Sequence, residues 1–444
     1  MLDKHRLDRI LALALPIIGG MVSQNVLNLV DTAMVSRLEN SNAALAAVGY
    51  GGFLLFVAQA VILGLSTGVQ ASASRRKGQG RLKETALFLN AALIIVIVAA
   101  PLLALMVIKC APAVYPYIND DPEIQALGIP YMQIRALGMV FVAANFAFRG
   151  YWNAIDMARL YMTTLISMHV INIVLNYILI FGNFGAPALG VEGAAMASAA
   201  SLGFGTLVYF SFGLMYAREN GFLRGLPCRE DVMSLIRISL PPGIQQMFFA
   251  GGFLATFWII GKIGTAEVAA ANILINVMLV AILPGMGLGM AAATLVGQAL
   301  GRGDVDDATA WAWDTVKVAM VIMGLLGLPM IFFPEQLIRL IYTLEPETLE
   351  VLLWPMRLVG ISMVFEALGM TMQFALQGAG YTRRVMYVAV LNQWLIYLPL
   401  AYLVGPVLGF GLTVIWLLNV GYRSVQSFVF VAFWVKGRWA EVRI

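Results

Sequence analysis

The sequence predicts an all-α integral membrane protein, with twelve transmembrane helices in two pseudo-symmetric six-helix lobes. Three observations carry this expectation. The 444 residues are 61% hydrophobic and 12% charged, with a mean hydropathy of +0.85. That is about half the charged fraction of an ordinary globular chain, and no water-soluble core could hide so much apolar surface. Long apolar segments recur along the whole chain, and blocks of the first half return in the second.

A helix needs about 20 mostly apolar residues to cross a bilayer. Twelve such segments fall at roughly 10–36, 44–73, 84–109, 126–149, 160–182, 193–217, 232–261, 268–297, 312–333, 350–377, 385–404 and 412–435. The first follows a charged start, MLDKHRLDR, and is too long to be the apolar region of a signal peptide. The connectors carry turn and charge signals, among them RRKGQGR, INDDPE, GNFGAPALG and GRGD.

Orientation follows from Lys and Arg in those connectors. With the N-terminus inside, the inner segments hold Arg75, Arg76, Lys77, Arg81, Arg218, Arg224, Arg229, Arg383, Arg384, Lys436 and Arg443, among others. The outer connectors hold little beyond Arg37, Lys109, Lys262 and Arg339, with acids at Asp120, Asp121 and Glu123. Both termini are therefore expected in the cytoplasm, in a bacterial inner membrane. The net charge of +4 reads as a topogenic asymmetry and not as nucleic-acid binding. Cys110 and Cys228 fall on opposite sides of the membrane, which argues against a disulfide, and no metal-ligand spacing is present.

The second span ends GLSTGVQASASRRKGQG and the eighth ends GLGMAAATLVGQALGRG. Gly64, Leu65, Gly78 and Gly80 match Gly287, Leu288, Gly301 and Gly303 at a constant offset of 223. PIIGGM from Pro16 and PGIQQM from Pro242 match at 226, and FAFRG and FALQG close the fourth and tenth spans at Gly150 and Gly378. The chain therefore divides into a lobe at 1–217, a cytoplasmic linker at 218–231 and a lobe at 232–444. Six helices separate equivalent spans, so the copies run the same way, a parallel repeat about an axis along the membrane normal.

Ionisable groups inside a membrane are costly and are functional candidates by default. Asp31 lies in NVLNLVDTAMV, with Asn28 and Gln24 three and seven residues before it on one helix face. At 1.5 Å per residue it sits roughly 5–8 Å from the outer end of its span. Outside water reaches that depth, yet partial desolvation favours the neutral form of a carboxyl. Such a group can gain and lose a proton, although an interfacial Asp at a helix end is the bland alternative. The aligned residue in the other half is Thr256, so the acid belongs to one half only. Pro16, fifteen residues earlier, removes a backbone bond and favours a kink, making it a hinge candidate in a helix class where prolines are also simply packed around.

The fifth span carries His169, Asn172 and Asn176 at i, i+3 and i+7. The two asparagines are either packing glue between helices or holders of Asp31 or an ion, and His169 reads as structural. In the tenth span Glu366 lies deep in the bilayer with Gln373 and Gln377 on roughly its face, a candidate for substrate or ion binding that protonation could also simply neutralise. Its counterpart region 138–142 has no acid. Arg135, Arg149 and Arg357 are the arginines placed within helices. Twenty-four Met and twenty-four Phe supply soft apolar surface that re-packs around different shapes.

Taken in order, LVDTAMVSRL with LAAVG, HVINIVLNYILIFGNFGAPALGVEGAAMAS, LVGQALGRGD and LQGAGYTR resemble the MATE (multidrug and toxic compound extrusion) family of transporters over essentially the whole chain. The NorM/DinF-like bacterial branch is the one it is similar to. The resemblance implies two six-helix lobes around a V-shaped central cavity. It also implies export of cationic or amphipathic compounds coupled to entry of H⁺ or Na⁺, with no cofactor. It carries the first-helix acid onto Asp31, the bending proline onto Pro16 and the tenth-helix acid onto Glu366. Two departures matter: Asn176 stands where some members have Asp, and Gln245 and Gln246 stand where NorM-like members have a seventh-helix Glu. Losing both acids favours H⁺ over a multi-carboxylate Na⁺ site.

The leading expectation is thus a monomeric drug/H⁺ antiporter, with Asp31, Gln24, Asn28, Asn172 and Asn176 as the coupling set. Alternatives are a Na⁺-coupled antiporter and a flippase for lipid-linked oligosaccharides, which would need a strongly cationic cavity. A membrane enzyme is excluded by the lack of an acid/base cluster, a GxSxG or a P-loop. The expected partners are drugs, the coupling ion and membrane lipid, with no nucleic acid.

Overall fold

The computed structural model describes residues 3–342 and 344–442; Arg443, counted above among the inner charges, lies outside the described residues. Among them every regular element is helical. Eleven helical runs are long and apolar enough to cross a membrane, and a bent pair makes the twelfth. All twelve expected segments are present, and the chain is a multi-pass membrane protein.

The helices start and stop where the local chemistry dictates. α1 (Lys4–Val35) and α2 (Ser41–Gly78) are the first two spans, and α3 (Leu87–Val114) lies within the third. The fourth span is α4 (Pro122–Leu137) followed by α5 (Met139–Ala154), bent by 49° at Gly138. Asp121 caps α4 by accepting from the Glu123 backbone N–H at 2.8 Å, with Pro122 in the first turn. At the bend, a Cβ on Gly138 would lie 3.4 Å from Ala199 Cα on α7 (Gly190–Phe212). α6 (Ala158–Phe181) ends on Gly182, whose φ of 73° needs a residue without a Cβ. The seventh and eighth spans are α8 (Arg229–Gly261) and α9 (Thr265–Ala281) with α10 (Leu283–Gly301). α11 (Val305–Phe332) starts on Asp304, which accepts from the Asp307 N–H at 2.8 Å. A short α12 (Pro334–Ile341) leads to α13 (Pro346–Gly378). The eleventh span contains α14 (Thr382–Leu391) and α15 (Leu398–Tyr402), and α16 (Leu412–Val435) is the twelfth.

By their packing the helices form two compact units. One comprises Gly19–Lys77 and Arg81–Gly243; the other comprises the chain up to Ile18, Gly78–Gly80 and the chain from Ile244 onward. α1 therefore changes unit between Ile18 and Gly19, two residues after Pro16. α8 changes unit between Gly243 and Ile244, just after Pro241 and Pro242.

The repeated glycines have the same job in each unit. In the first, a Cβ on Gly64 of α2 would lie 2.0 Å from the Ser239 carbonyl oxygen of α8, and one on Gly150 would lie 2.2 Å from that of Ser66. In the second, a Cβ on Gly287 of α10 would meet Ile18 of α1 at 2.4 Å, and one on Gly378 would meet the Ala293 carbonyl oxygen at 2.3 Å. Each second span thus packs against the opening half of the other copy's first span. Gly80 and Gly303 both turn the chain at positive φ, 75° and 79°.

The opening turns of α1 are anchored inside the second unit. Arg6 pairs with Asp307 and, at 3.3 Å, with Asp314, while its guanidinium lies 4.4 Å from the Trp311 ring centroid. Arg9 donates to Gln298 Oε1 at 2.7 Å. Cys110 and Cys228 are both free.

Candidate functional site

In the first unit, α1 and α6 bring Asp31 and the asparagine stripe together. Asn176 Nδ2 donates to Asp31 Oδ1 at 2.6 Å and to Asn172 Oδ1 at 2.9 Å. Asn172 Nδ2 in turn donates to Ser201 Oγ on α7 at 3.1 Å. Asn172 and Asn176 are fully buried, whereas Asp31 is half-buried, four residues before the end of α1. The amide oxygen of Asn176 is buried and has no hydrogen-bond partner, an acceptor left open beside the carboxylate. Arg135 on α4 acts on Asp31 electrostatically, but its guanidinium Nη1 donates to the Tyr131 hydroxyl at 3.0 Å.

Gln24 and Asn28 share the face of Asp31 but form a separate group. Gln24 Nε2 donates to Asn28 Oδ1 at 3.2 Å, and Gln24 Oε1 lies 3.1 Å from His169 Nε2. Ser23 Oγ lies 3.1 Å from His169 Nδ1. His169 therefore ties α6 to α1 two turns from the Asp31 cluster. Sequence reading gave the α6 stripe by its spacing, but Ser201 and Ser198, which surround Asn172, sit among small residues with no distinguishing pattern.

In the second unit Glu366 is buried and is not alone. Arg423 on α16 donates from Nε to Oε1 at 2.6 Å and from Nη2 to Oε2, a fork-to-fork pair. Arg423 adds to the three arginines placed within helices by sequence; its signal was one cation in the apolar run LTVIWLLNVGYRSVQSFVFVAF. Gln377 donates to Gln245 Oε1 at 3.4 Å. Gln373 is half-buried and makes no hydrogen bond among the described residues. A cavity of about 50 Å³ opens beside the ion pair, lined by aromatic residues and by Thr256, Gln393, Asn419 and Tyr422. Among the described residues no group of three or more His, Cys, Asp or Glu could hold a metal ion.

The twelve-span helical repeat has known counterparts. The MatE family model matches residues 16–178 and matches again at residues 241–403. The chain belongs to the MatE family. The two matches begin at Pro16, the start of the first repeated block, and at Pro241, one residue before the second, and the resemblance read from the motifs is borne out. As a MatE-family protein the chain is a transporter and not an enzyme. It is 27% identical to the "Probable multidrug resistance protein NorM" of Thermotoga maritima, over 97% of this chain and 93% of that one. It is 29% identical to the protein of the same description from Agrobacterium fabrum, over 91% and 88%. The "Multidrug resistance protein MdtK" of Yersinia enterocolitica is 25% identical over 89% and 87%. Among solved structures, an "Outward-facing conformation of a multidrug resistance MATE family transporter of the MOP superfamily" shares the fold with a TM-score of 0.88 at 21% identity, over 98% of this chain and 96% of that one. Structures described as MATE in the bent and in the straight conformation superpose with TM-scores of 0.88 and 0.87 at 21% identity, over the same shares of the two chains.

Proposed function

We propose that the protein is a secondary multidrug antiporter that exports cationic or amphipathic organic compounds in exchange for H⁺, which enters at Asp31. The observation that carries this reading is the contrast between the two membrane acids. Asp31 is half-buried and bonded to the neutral amide of Asn176, whereas Glu366 has both oxygens taken by Arg423. A carboxylate whose hydrogen-bond partner is neutral can change its charge without stranding a cation. Arg135 acts on Asp31 through space, and its guanidinium donates to the Tyr131 hydroxyl.

Binding a proton at Asp31 changes the balance of bonds along α1, and Pro16 gives that helix a place to bend. The unit boundary two residues after Pro16 and the existence of bent and straight forms among MATE structures of the same fold support a hinge there. Relatives described as multidrug resistance proteins support the substrate class. The Lys and Arg asymmetry of the connectors supports both termini on the cytoplasmic side. The two repeat copies, 1–217 and 232–444 around a linker at 218–231, then provide alternating access, with the chain acting as a monomer.

A Na⁺-coupled reading rests on one specific observation. The orphan amide oxygen of Asn176 beside Asp31 is an oxygen ligand that suits a small hard cation as well as a proton-bearing carboxyl. Ethidium uptake into everted vesicles, which is export in the cell, driven by a pH gradient or by a Na⁺ gradient imposed separately, decides between them. Uptake under the pH gradient alone supports H⁺; uptake that needs the Na⁺ gradient rejects it.

A further inference from the structure

The ion pair in the second unit is built to stay closed. Glu366 lies on α13 and Arg423 on α16, and each is fixed through its backbone as well as its side chain. The Ser427 hydroxyl is shared between the Phe365 carbonyl at 3.0 Å and the Arg423 carbonyl at 2.9 Å, tying together the turns that carry the two charges. The Tyr422 carbonyl accepts from Asn392 Nδ2 at 2.8 Å. Gly369 lets α16 come this close, since a Cβ there would lie 2.1 Å from Ser427 Oγ. The side chains are 8% and 22% exposed for Glu366 and Arg423.

We propose that Arg423 is a tethered cation: it occupies the place at Glu366 that a mobile monovalent cation would otherwise fill, so the second unit is charge-complete without Na⁺ or H⁺. A buried carboxylate needs one compensating positive charge. Arginine keeps its charge throughout the physiological range and cannot give up its proton. Because it is covalently attached, it cannot dissociate to either side of the membrane. Glu366 therefore cannot load and release an ion while this pair is made. The adjoining cavity fits a cation in kind and in size. Its volume is about 50 Å³, room for a few waters or a small hydrated ion. Thr256, Gln393, Asn419 and Tyr422, all residues with a side-chain oxygen, are among its lining together with Glu366. Removing the guanidinium should turn this cavity into a monovalent cation site. The inference deepens the proposed function, since it leaves Asp31 as the acid that exchanges its ion.

The test uses the full-length purified protein in an Asp31→Asn background, so that no signal comes from the first unit. Two signals are read: equilibrium binding of radioactive Na⁺ at alkaline pH, and a pH titration of tryptophan fluorescence, to which Trp416 on the cavity wall contributes. Asp31→Asn alone should show neither a saturable Na⁺ site nor a titration that depends on Glu366. Adding Arg423→Met should create one or the other, and adding Glu366→Gln to that pair should remove it. A Glu366-dependent signal already present with Arg423 intact, or none in a folded Arg423→Met protein, overturns the proposal. A second variant covers the case in which Arg423→Met does not fold. Glu366→Gln/Arg423→Met removes both charges from an otherwise unchanged chain, and its efflux, whatever the rate, should keep the wild-type driving ion and pH midpoint. A changed driving ion or midpoint would show that the pair exchanges an ion, and would overturn the tethered-cation reading without touching Asp31. Loss of Asp31's role with this double variant unaffected would overturn only the proposed function.

Discussion

Arg423 holds both carboxylate oxygens of Glu366, Nε to Oε1 at 2.6 Å and Nη2 to Oε2, across the contact between α13 and α16. The two membrane acids thus differ in what is bonded to them, a cation at Glu366 and a neutral amide at Asp31. Breaking this buried pair from one side strands a charge. Arg423→Met is expected to cost about 3–5 kcal/mol, and replacing both partners to cost far less. Thermal unfolding in detergent of the single and double variants checks this. Equal destabilisation in the two would contradict it.

Asn176 stands 2.6 Å from Asp31. Asn176→Asp would place two carboxylates at hydrogen-bond distance, a repulsion relieved by a proton shared between them or by a bound cation. Na⁺-stimulated efflux is expected to appear in this variant. Ethidium efflux at fixed pH, with Na⁺ replaced by choline, is the measurement, and an unchanged response to Na⁺ would count against an ion entering at this pair.

Pro16 deprives α1 of one backbone hydrogen bond near the point where the helix changes unit. Pro16→Ala restores that bond and stiffens the helix. Efflux should fall by about tenfold, equivalent to roughly 1.4 kcal/mol, while the melting temperature holds or rises. Undiminished efflux would remove the hinge from the mechanism.

The repeated glycines make a stability prediction that is independent of transport. A Cβ at Gly78 would lie 2.0 Å from the Gln298 carbonyl oxygen and 2.9 Å from Gly301 Cα, both backbone atoms that cannot swing aside. Gly78→Ala should therefore lower stability by about 1–3 kcal/mol. Gly80→Ala meets no neighbour but must adopt a φ of +75°, at about 1–2 kcal/mol. Unfolding temperatures of the two variants test both, and a fully stable Gly78→Ala protein would contradict the close helix approach.

The spans and the repeat were legible because lipid imposes a simple rule on composition and length. The glycines at 64, 78, 150, 287 and 378 recur in sequence because a neighbouring helix comes too close there for a Cβ. Helical spacing put His169, Asn172 and Asn176 on one face of the fifth span, while the pairing of that face with Asp31 came from packing. Three things were not legible. The partner of Glu366 lies 57 residues away, and no local pattern links an acid to a cation on another helix. The exchange of the opening halves of α1 and α8 between units was equally hidden, since each is one continuous apolar segment in sequence and only packing divides it. The role of His169 as a link between Ser23 and Gln24 likewise depends on which α1 residues face it, which spacing within α6 cannot reveal.

The most direct measurement is ethidium export, read as uptake into everted vesicles energised by a pH gradient, compared between the wild-type protein and Asp31→Asn at matched expression. The amide keeps the size of the side chain and can still bond to Asn176, but it cannot carry a titrating proton. Uptake driven by the pH gradient is expected to drop to the background of vesicles lacking the protein, with drug binding retained. Full H⁺-driven uptake by Asp31→Asn would contradict coupling at this carboxyl.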